Sequence, residues 1–260
     1  MEWVPPDQVI ADRDPRRAGA FLRSSEQVRA RYLRCRGAWA SHLESTRRAI
    51  ERGMQRCVQR RTAIILGGGM LHDVPLAFLS DRFERVVIVD VVHLWRSVLA
   101  AQRFSNVEQV CVDVSGYISS GQGEPPSVGM PEGLQALPRA DFVVSLNLMS
   151  QLAVVPRLEE NSRNPNEKMN FLGKKLLMNH LSVLDGLGRE ITLVTDFERW
   201  EVPLSGETRS GVDILYGVNV GPFEETWRWD IAPIPEVSSD YHVFHRVGVR
   251  HWTAPTEFSG

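Results

Sequence analysis

The chain has 260 residues, 43% of them hydrophobic and 24% charged, with a formal net charge of -2 at neutral pH. That length supports one large α/β domain with an appendage, and so even a charge balance gives no reason to expect a nucleic-acid or membrane partner. No stretch approaches the ~18 uninterrupted apolar residues of a membrane span, no basic segment and apolar run open the chain as a signal peptide would, and Cys35, Cys57 and Cys111 lack metal-ligand spacing. Reduced thiols, a cytoplasmic protein and no metal site are therefore expected.

Residues 13–61 are dominated by arginine. Their apolar members (Val28, Tyr32, Leu33, Ala38, Trp39, Leu43, Ala49, Ile50, Met54) recur at helical spacing, interrupted near Gly37. The pattern predicts two amphipathic helices forming an N-terminal cap over residues 1–61, laid on a sheet domain over 62–260. The arginine face is either solvated or a basic surface for an anionic substrate or partner.

Beyond the cap, strand-like and helix-like segments alternate. Strands are expected at 63–66, 86–90, 107–112, 141–146 and 191–195, with helices at 73–79, 94–102 and 171–187. The strands are Val- and Ile-rich and nearly continuous in apolar residues, as in a parallel sheet covered on both faces. Residues 119–138 read as a surface excursion. Residues 159–168, polar with three Asn, read as a lid or mobile connection. Period-two patterning at 226–231 and 241–250 predicts a closing antiparallel pair.

The chemistry gathers at strand ends. The first strand runs into Gly67, Gly68 and Gly69, where missing Cβ atoms let backbone N–H groups approach a ligand closely. Asp90 ends the second strand about 20 residues on, where a carboxylate accepts hydrogen bonds from ribose hydroxyls. Asp113 follows the third strand. Asn147, at the end of the fourth, either faces a ligand or caps the helix that follows. His72 follows the glycine turn and is either structural or in contact with cofactor or substrate. Asp196, Glu198 and Arg199 follow the fifth strand and either face an acceptor or are solvated. His180 is expected to pack against the sheet, and Trp200, Tyr216, Trp227 and Trp229 either wall a pocket or belong to the core.

Over residues 62–252 this ordered series resembles the class I S-adenosylmethionine-dependent methyltransferases. The resemblance implies a Rossmann-like sheet, mostly parallel with a C-terminal antiparallel hairpin. It also implies that Gly67, Gly68 and Gly69 wrap the amino-acid part of S-adenosylmethionine, that Asp90 binds its ribose and that Asp113 contacts its adenine. The fourth strand's end, with Asn147, would face the methyl group and substrate. Two departures stand out. Ile65 occupies the position of the acid that usually precedes the first glycine, and Leu71 replaces the third glycine. Asp73 is the candidate to take over the missing acid's work on the cofactor's ammonium.

The expected function is methyl transfer to a small-molecule acceptor, with Asn147, Asp196 and His72 as candidate catalytic residues. A catalytically silent protein using the fold as a ligand sensor or scaffold is the second reading. A nicotinamide-dependent dehydrogenase would need glycine at His72. An aminopropyltransferase would need carboxylates where the fourth strand ends in Ser145 and Asn147.

Overall fold

The computed structural model describes residues 8–9, 15–116, 128–154, 166–206 and 211–255. In chain order the elements are β1 (Gln8–Val9), α1 (Pro15–Gln55), β2 (Thr62–Leu66), α2 (Leu76–Ser80), β3 (Arg85–Asp90), β4 (Val92–His93), α3 (Trp95–Ala101), β5 (Val107–Cys111), α4 (Glu132–Gln135) and β6 (Ala140–Leu146). After a 3-10 turn at Met149–Gln151 come α5 (Asn166–Leu187), β7 (Gly188–Pro203), β8 (Val212–Asp213), β9 (Glu225–Ala232) and β10 (Tyr241–Thr253).

The main sheet runs β5-β3-β2-β6-β7-β10-β9, with β8 pairing beside β7. The five strands from β5 to β7 are parallel, and β10 inserts antiparallel between β7 and β9. This is the expected Rossmann-like sheet with its closing antiparallel pair. Every residue of β2 and β6 is buried, because both faces are covered. Ile64 and Leu66 point into a core shared with α5, while Ala63 and Ile65 point into one shared with α1 and α2. Asp141 ties the start of β2 to β6, its Oδ2 accepting from the backbone N–H groups of Arg61 at 2.8 Å and Thr62 at 3.2 Å.

Several sequence expectations are corrected. The two cap helices are not among them, for α1 consists of two helical stretches that meet at a kink at Cys35, where φ is -103° and ψ 18°, two residues before Gly37. Beyond the kink the burial of Trp39 and Leu43 holds the second stretch against the sheet, in spite of a glycine's helix cost of about 1 kcal/mol at Gly37. The helix expected at 73–79 starts only at Leu76, since Pro75 disfavours helical geometry at Val74. The fifth strand does not stop at Thr195. Its β10 partner pairs with it from Glu190 to Pro203, so charged residues alternate along a continuing strand. Residues 166–168, expected in a polar loop, belong to α5. Residues 159–165 of that loop, and 119–127 of the earlier one, lie outside the described residues.

The cap shares one hydrophobic cluster with the sheet. Trp39, Leu43, Ile50 and Met54 pack with Ile65, Trp229, Val247 and Val249. Its arginines are not simply solvated. Arg34 and Arg31 both pair with Glu236 in the loop between β9 and β10, at 2.6 and 3.3 Å, Arg52 pairs with Glu225, and Arg56 lies 3.5 Å from Glu190. Among the described residues no helix is long and apolar enough to cross a membrane, and no three His, Cys, Asp or Glu side chains are grouped to hold a metal ion.

Candidate active site

A cavity of about 480 Å³ opens at the carboxyl ends of β2, β3 and β6, roofed by α1. This is where open α/β sheets bind ligands. The glycine turn forms its floor. Gly67 takes φ +79° and Gly69 φ +50°, conformations that cost glycine nothing. A Cβ at Gly68 would stand 2.6 Å from Ile88 Cγ2, and one at Gly67 2.8 Å from the Leu146 carbonyl oxygen. The turn is therefore pressed against β3 and β6. Leu71, at the missing third glycine, still adopts φ +61°.

Two of the expected acids line the same cavity from neighbouring strands. Asp90 Oδ2 accepts from the Gly69 N–H at 2.8 Å and Oδ1 from the Val91 N–H at 2.8 Å. Burial pushes its carboxyl above the ordinary value, against His93 and these backbone donors. Asp113 Oδ1 accepts from Ser115, at 2.9 Å from the backbone N–H and 2.5 Å from the hydroxyl.

Asn147 is not a helix cap. It sits at φ +45° and is buried, and the turn after it has no side-chain cap. Its Nδ2 lies 3.4 Å from both Asp73 Oδ2 and His42 Nε2, while its Oδ1 is buried without a hydrogen-bond partner. Burial pushes the Asp73 carboxyl up to about 6, even with Arg47 nearby. His72 borders the cavity too. Its ring stacks on Tyr32 with centroids 4.0 Å apart, and its carbonyl accepts from Arg47. Burial, with Arg47, Arg36 and Arg96 around it, holds that imidazole below its ordinary value.

Asp196 is 3% exposed and is gripped from two sides. The Ser150 hydroxyl donates to its Oδ1 at 2.6 Å, and His245 Nδ1 lies 2.6 Å from its Oδ2. Glu198 and Arg199 do not join the cavity lining. Glu198 accepts from the Trp200 indole at 3.1 Å, and Arg199 bonds Glu201 at 2.8 Å. His180 packs behind the sheet as expected, wholly buried, with Nε2 2.9 Å from Ser145 Oγ. Of the four aromatics, Trp229 walls the cavity, Trp227 supports it from behind, Trp200 stacks on Phe244 and Tyr216 packs near Gly173 of α5.

His42 and His245 were missed by sequence reasoning. Both line the cavity. The signal for His42 was its place one turn from Trp39 on an apolar stripe. For His245 it was an inward-facing position shared with Val243, Val247 and Val249. His42 stacks on the Trp229 indole, with centroids 4.0 Å apart and planes 6° from parallel, and its Nδ1 accepts from the Trp227 indole N–H at 3.1 Å. Burial pushes its imidazole down to about 3, so the ring is neutral.

No protein-family model matches the chain, and no curated protein does. Solved structures similar to it include the 1,6-didemethyltoxoflavin-N1-methyltransferase of Burkholderia thailandensis, with bound 1,6-didemethyltoxoflavin and S-adenosylhomocysteine. That pair is 14% identical over 94% of this chain and 99% of the other, with a TM-score of 0.43. The N-methyltransferase NodS of Bradyrhizobium japonicum, in complex with S-adenosylhomocysteine, is 10% identical over 79% and 86% of the two chains, with a TM-score of 0.37. A DhpI complex with SAH is 14% identical over 89% and 96%, with a TM-score of 0.38.

Proposed function

We propose that the protein transfers a methyl group from S-adenosylmethionine to a small molecule. The observation that carries this reading is the convergence of the glycine turn, Asp90 and Asp113 on one cavity, with an Asp-His pair on its far side. The residues present fit the cofactor. The turn leaves no room for a Cβ at Gly67 or Gly68, and with the Gly67 N–H donating to the Val89 carbonyl and the Gly69 N–H to Asp90 it gives the ligand a compact backbone floor. Asp90 offers carboxylate lone pairs to ribose hydroxyls, and Asp113 suits the adenine amino group. Asp73 stands in for the acid absent at Ile65.

When bound, the sulfonium supplies the methyl group and a neutral thioether leaving group. The chain's own work is positioning and proton removal. An acceptor whose nucleophilic atom carries a proton must lose it. With Asp196 accepting from His245 Nδ1–H, Nε2 of that imidazole keeps its lone pair for that proton. The Ser150 hydroxyl fixes the carboxylate that fixes the imidazole. His72, stacked on Tyr32, and Trp229 wall the cavity beneath α1. The cap over residues 1–61 is read as the element that shapes the acceptor side, and 62–260 as the part that holds the cofactor. The test is calorimetric titration with S-adenosylhomocysteine, followed by mass-spectrometric detection of methyl transfer across hydroxyl- and amine-bearing small molecules. Absence of binding sinks the reading. Binding without any turnover favours a ligand sensor on the same fold.

A further inference from the structure

Asp73, Asn147 and His42 form a connected polar group at the ends of β2 and β6, beside the glycine turn. Its hydrogen bonding is incomplete. An indole N–H only donates, so Trp227 makes His42 Nδ1 an acceptor, and the proton of a neutral ring must then sit on Nε2. That Nε2–H faces the Asn147 amide nitrogen at 3.4 Å, which is also a donor, so the two cannot bond to each other. Asn147 Oδ1 is orphaned as well. Turning the amide would satisfy His42 but would leave Nδ2 in the partnerless position. In either orientation a side chain more than nine-tenths buried at the cavity has an unmet polar atom. Such an atom costs stability unless a ligand completes it.

The unmet set has a definite character. It holds one neutral N–H donor (His42), one amide oxygen (Asn147) and one carboxylate (Asp73), with Asn147 Nδ2 between the other two at 3.4 Å from each. An α-amino-acid zwitterion needs a donor for its carboxylate and acceptors for its ammonium. Arg47, whose charge acts on Asp73, is engaged with the His72 carbonyl and Glu44, and Arg31, which lines the cavity, pairs with Glu236, so neither is taken as the donor. We propose that His42 Nε2–H binds the carboxylate, and Asp73 with Asn147 Oδ1 the ammonium, of the cofactor's amino-acid end, so that a residue of the cap completes the cofactor site. The inference rests on the methyltransferase reading. It gives Trp227 a role at a distance as a positioning residue that fixes the His42 tautomer.

The experiment compares two probes by calorimetry, S-adenosylhomocysteine and 5′-methylthioadenosine, which shares the adenosine but lacks the amino-acid end. His42→Phe should weaken S-adenosylhomocysteine by about tenfold or more, as expected for a lost charge-assisted hydrogen bond, and leave methylthioadenosine unchanged. His42→Gln, which keeps an N–H donor, should recover part of the loss. Should His42→Phe fail to fold, Trp227→Phe gives the same comparison with a smaller loss. Nitrogen-15 NMR of the wild-type protein should show His42 protonated on Nε2. The inference is overturned if the two probes weaken alike, if neither does, or if the proton resides on Nδ1. A wild type that binds methylthioadenosine but not S-adenosylhomocysteine overturns it alone, whereas one that binds neither removes the methyltransferase reading itself.

Discussion

His245 Nδ1 meets Asp196 Oδ2 at 2.6 Å across a β-bulge in which Phe197 is the extra residue. Arg246 pairs with Glu198 and Val247 with Asp196, leaving Phe197 unpaired between them. A second irregularity, between Val243 and His245, offsets β10 from β9 and sets His245 directly opposite Trp229. Bulges of this kind re-aim side chains beside active sites. Here they bring a carboxylate on one strand and an imidazole on the next to the same cavity.

If this pair is the base, its loss should be felt in turnover and not in cofactor binding. His245→Gln and Asp196→Asn are expected to lower kcat by roughly 10²-fold or more, in the range of general-base catalysis, while S-adenosylhomocysteine affinity stays at the wild-type value. An equal fall in both quantities would mean that the pair only supports the fold.

Asp90→Ala tests the cofactor side. It removes a carboxylate expected to accept charge-assisted bonds from ribose hydroxyls, and affinity for S-adenosylhomocysteine should fall by about 1.5–3 kcal/mol. Asp90 also accepts from the Gly69 N–H, so the glycine turn loses an anchor. Thermal unfolding of the free variant separates that contribution. A folded variant with unchanged affinity would take the ribose role away from Asp90.

Acid should destabilise the protein through its buried imidazoles. Burial pushes His180 down to about 4 and His42 down to about 3. An unfolded histidine titrates near ~6.5. Between those values the unfolded chain binds the proton and the folded one does not, so stability falls as pH drops below about 6.5. For His180 the loss approaches roughly 3 kcal/mol by about pH 4. Asp73 acts in the opposite sense, because its carboxyl, raised to about 6, sheds its burial cost on protonation. Urea unfolding at pH 7 and pH 5 should show a shallower decline for His180→Gln, which keeps a partner for Ser145. An identical decline would exclude His180 as a source.

Leu71 combines a left-handed backbone at φ +61° with a side chain buried at 9% exposure. The conformation costs an L residue about 1–2 kcal/mol and glycine none, whereas burying a leucine is worth about 1.5–3 kcal/mol. Leu71→Ala should therefore destabilise by cavity formation, and Leu71→Gly by about 1 kcal/mol less, because the glycine relieves the backbone. Chemical denaturation of the two variants measures the order. The reverse order would show that the backbone at this position carries no strain.

Sequence alone determined the parts of this protein that depend on local pattern. Short Val- and Ile-rich apolar runs marked strands covered on both faces, three consecutive glycines after the first of them marked a tight turn, and Asp90 and Asp113 fall at strand ends by simple counting. Asn147 was legible as a candidate for the same reason, its position after β6. Tertiary structure decided what sits opposite them. The Asp196–His245 pair joins residues 49 apart in the chain, and Asn147 meets His42 across 105. No periodicity encodes such meetings, because they depend on strand register, on two bulges and on where a kinked helix lands. The tautomer of His42 lies further from the sequence still, being set by an indole 185 residues away that happens to offer only a donor. Local preference writes the elements, whereas the chemistry of the cavity follows from which buried polar atoms packing leaves facing one another.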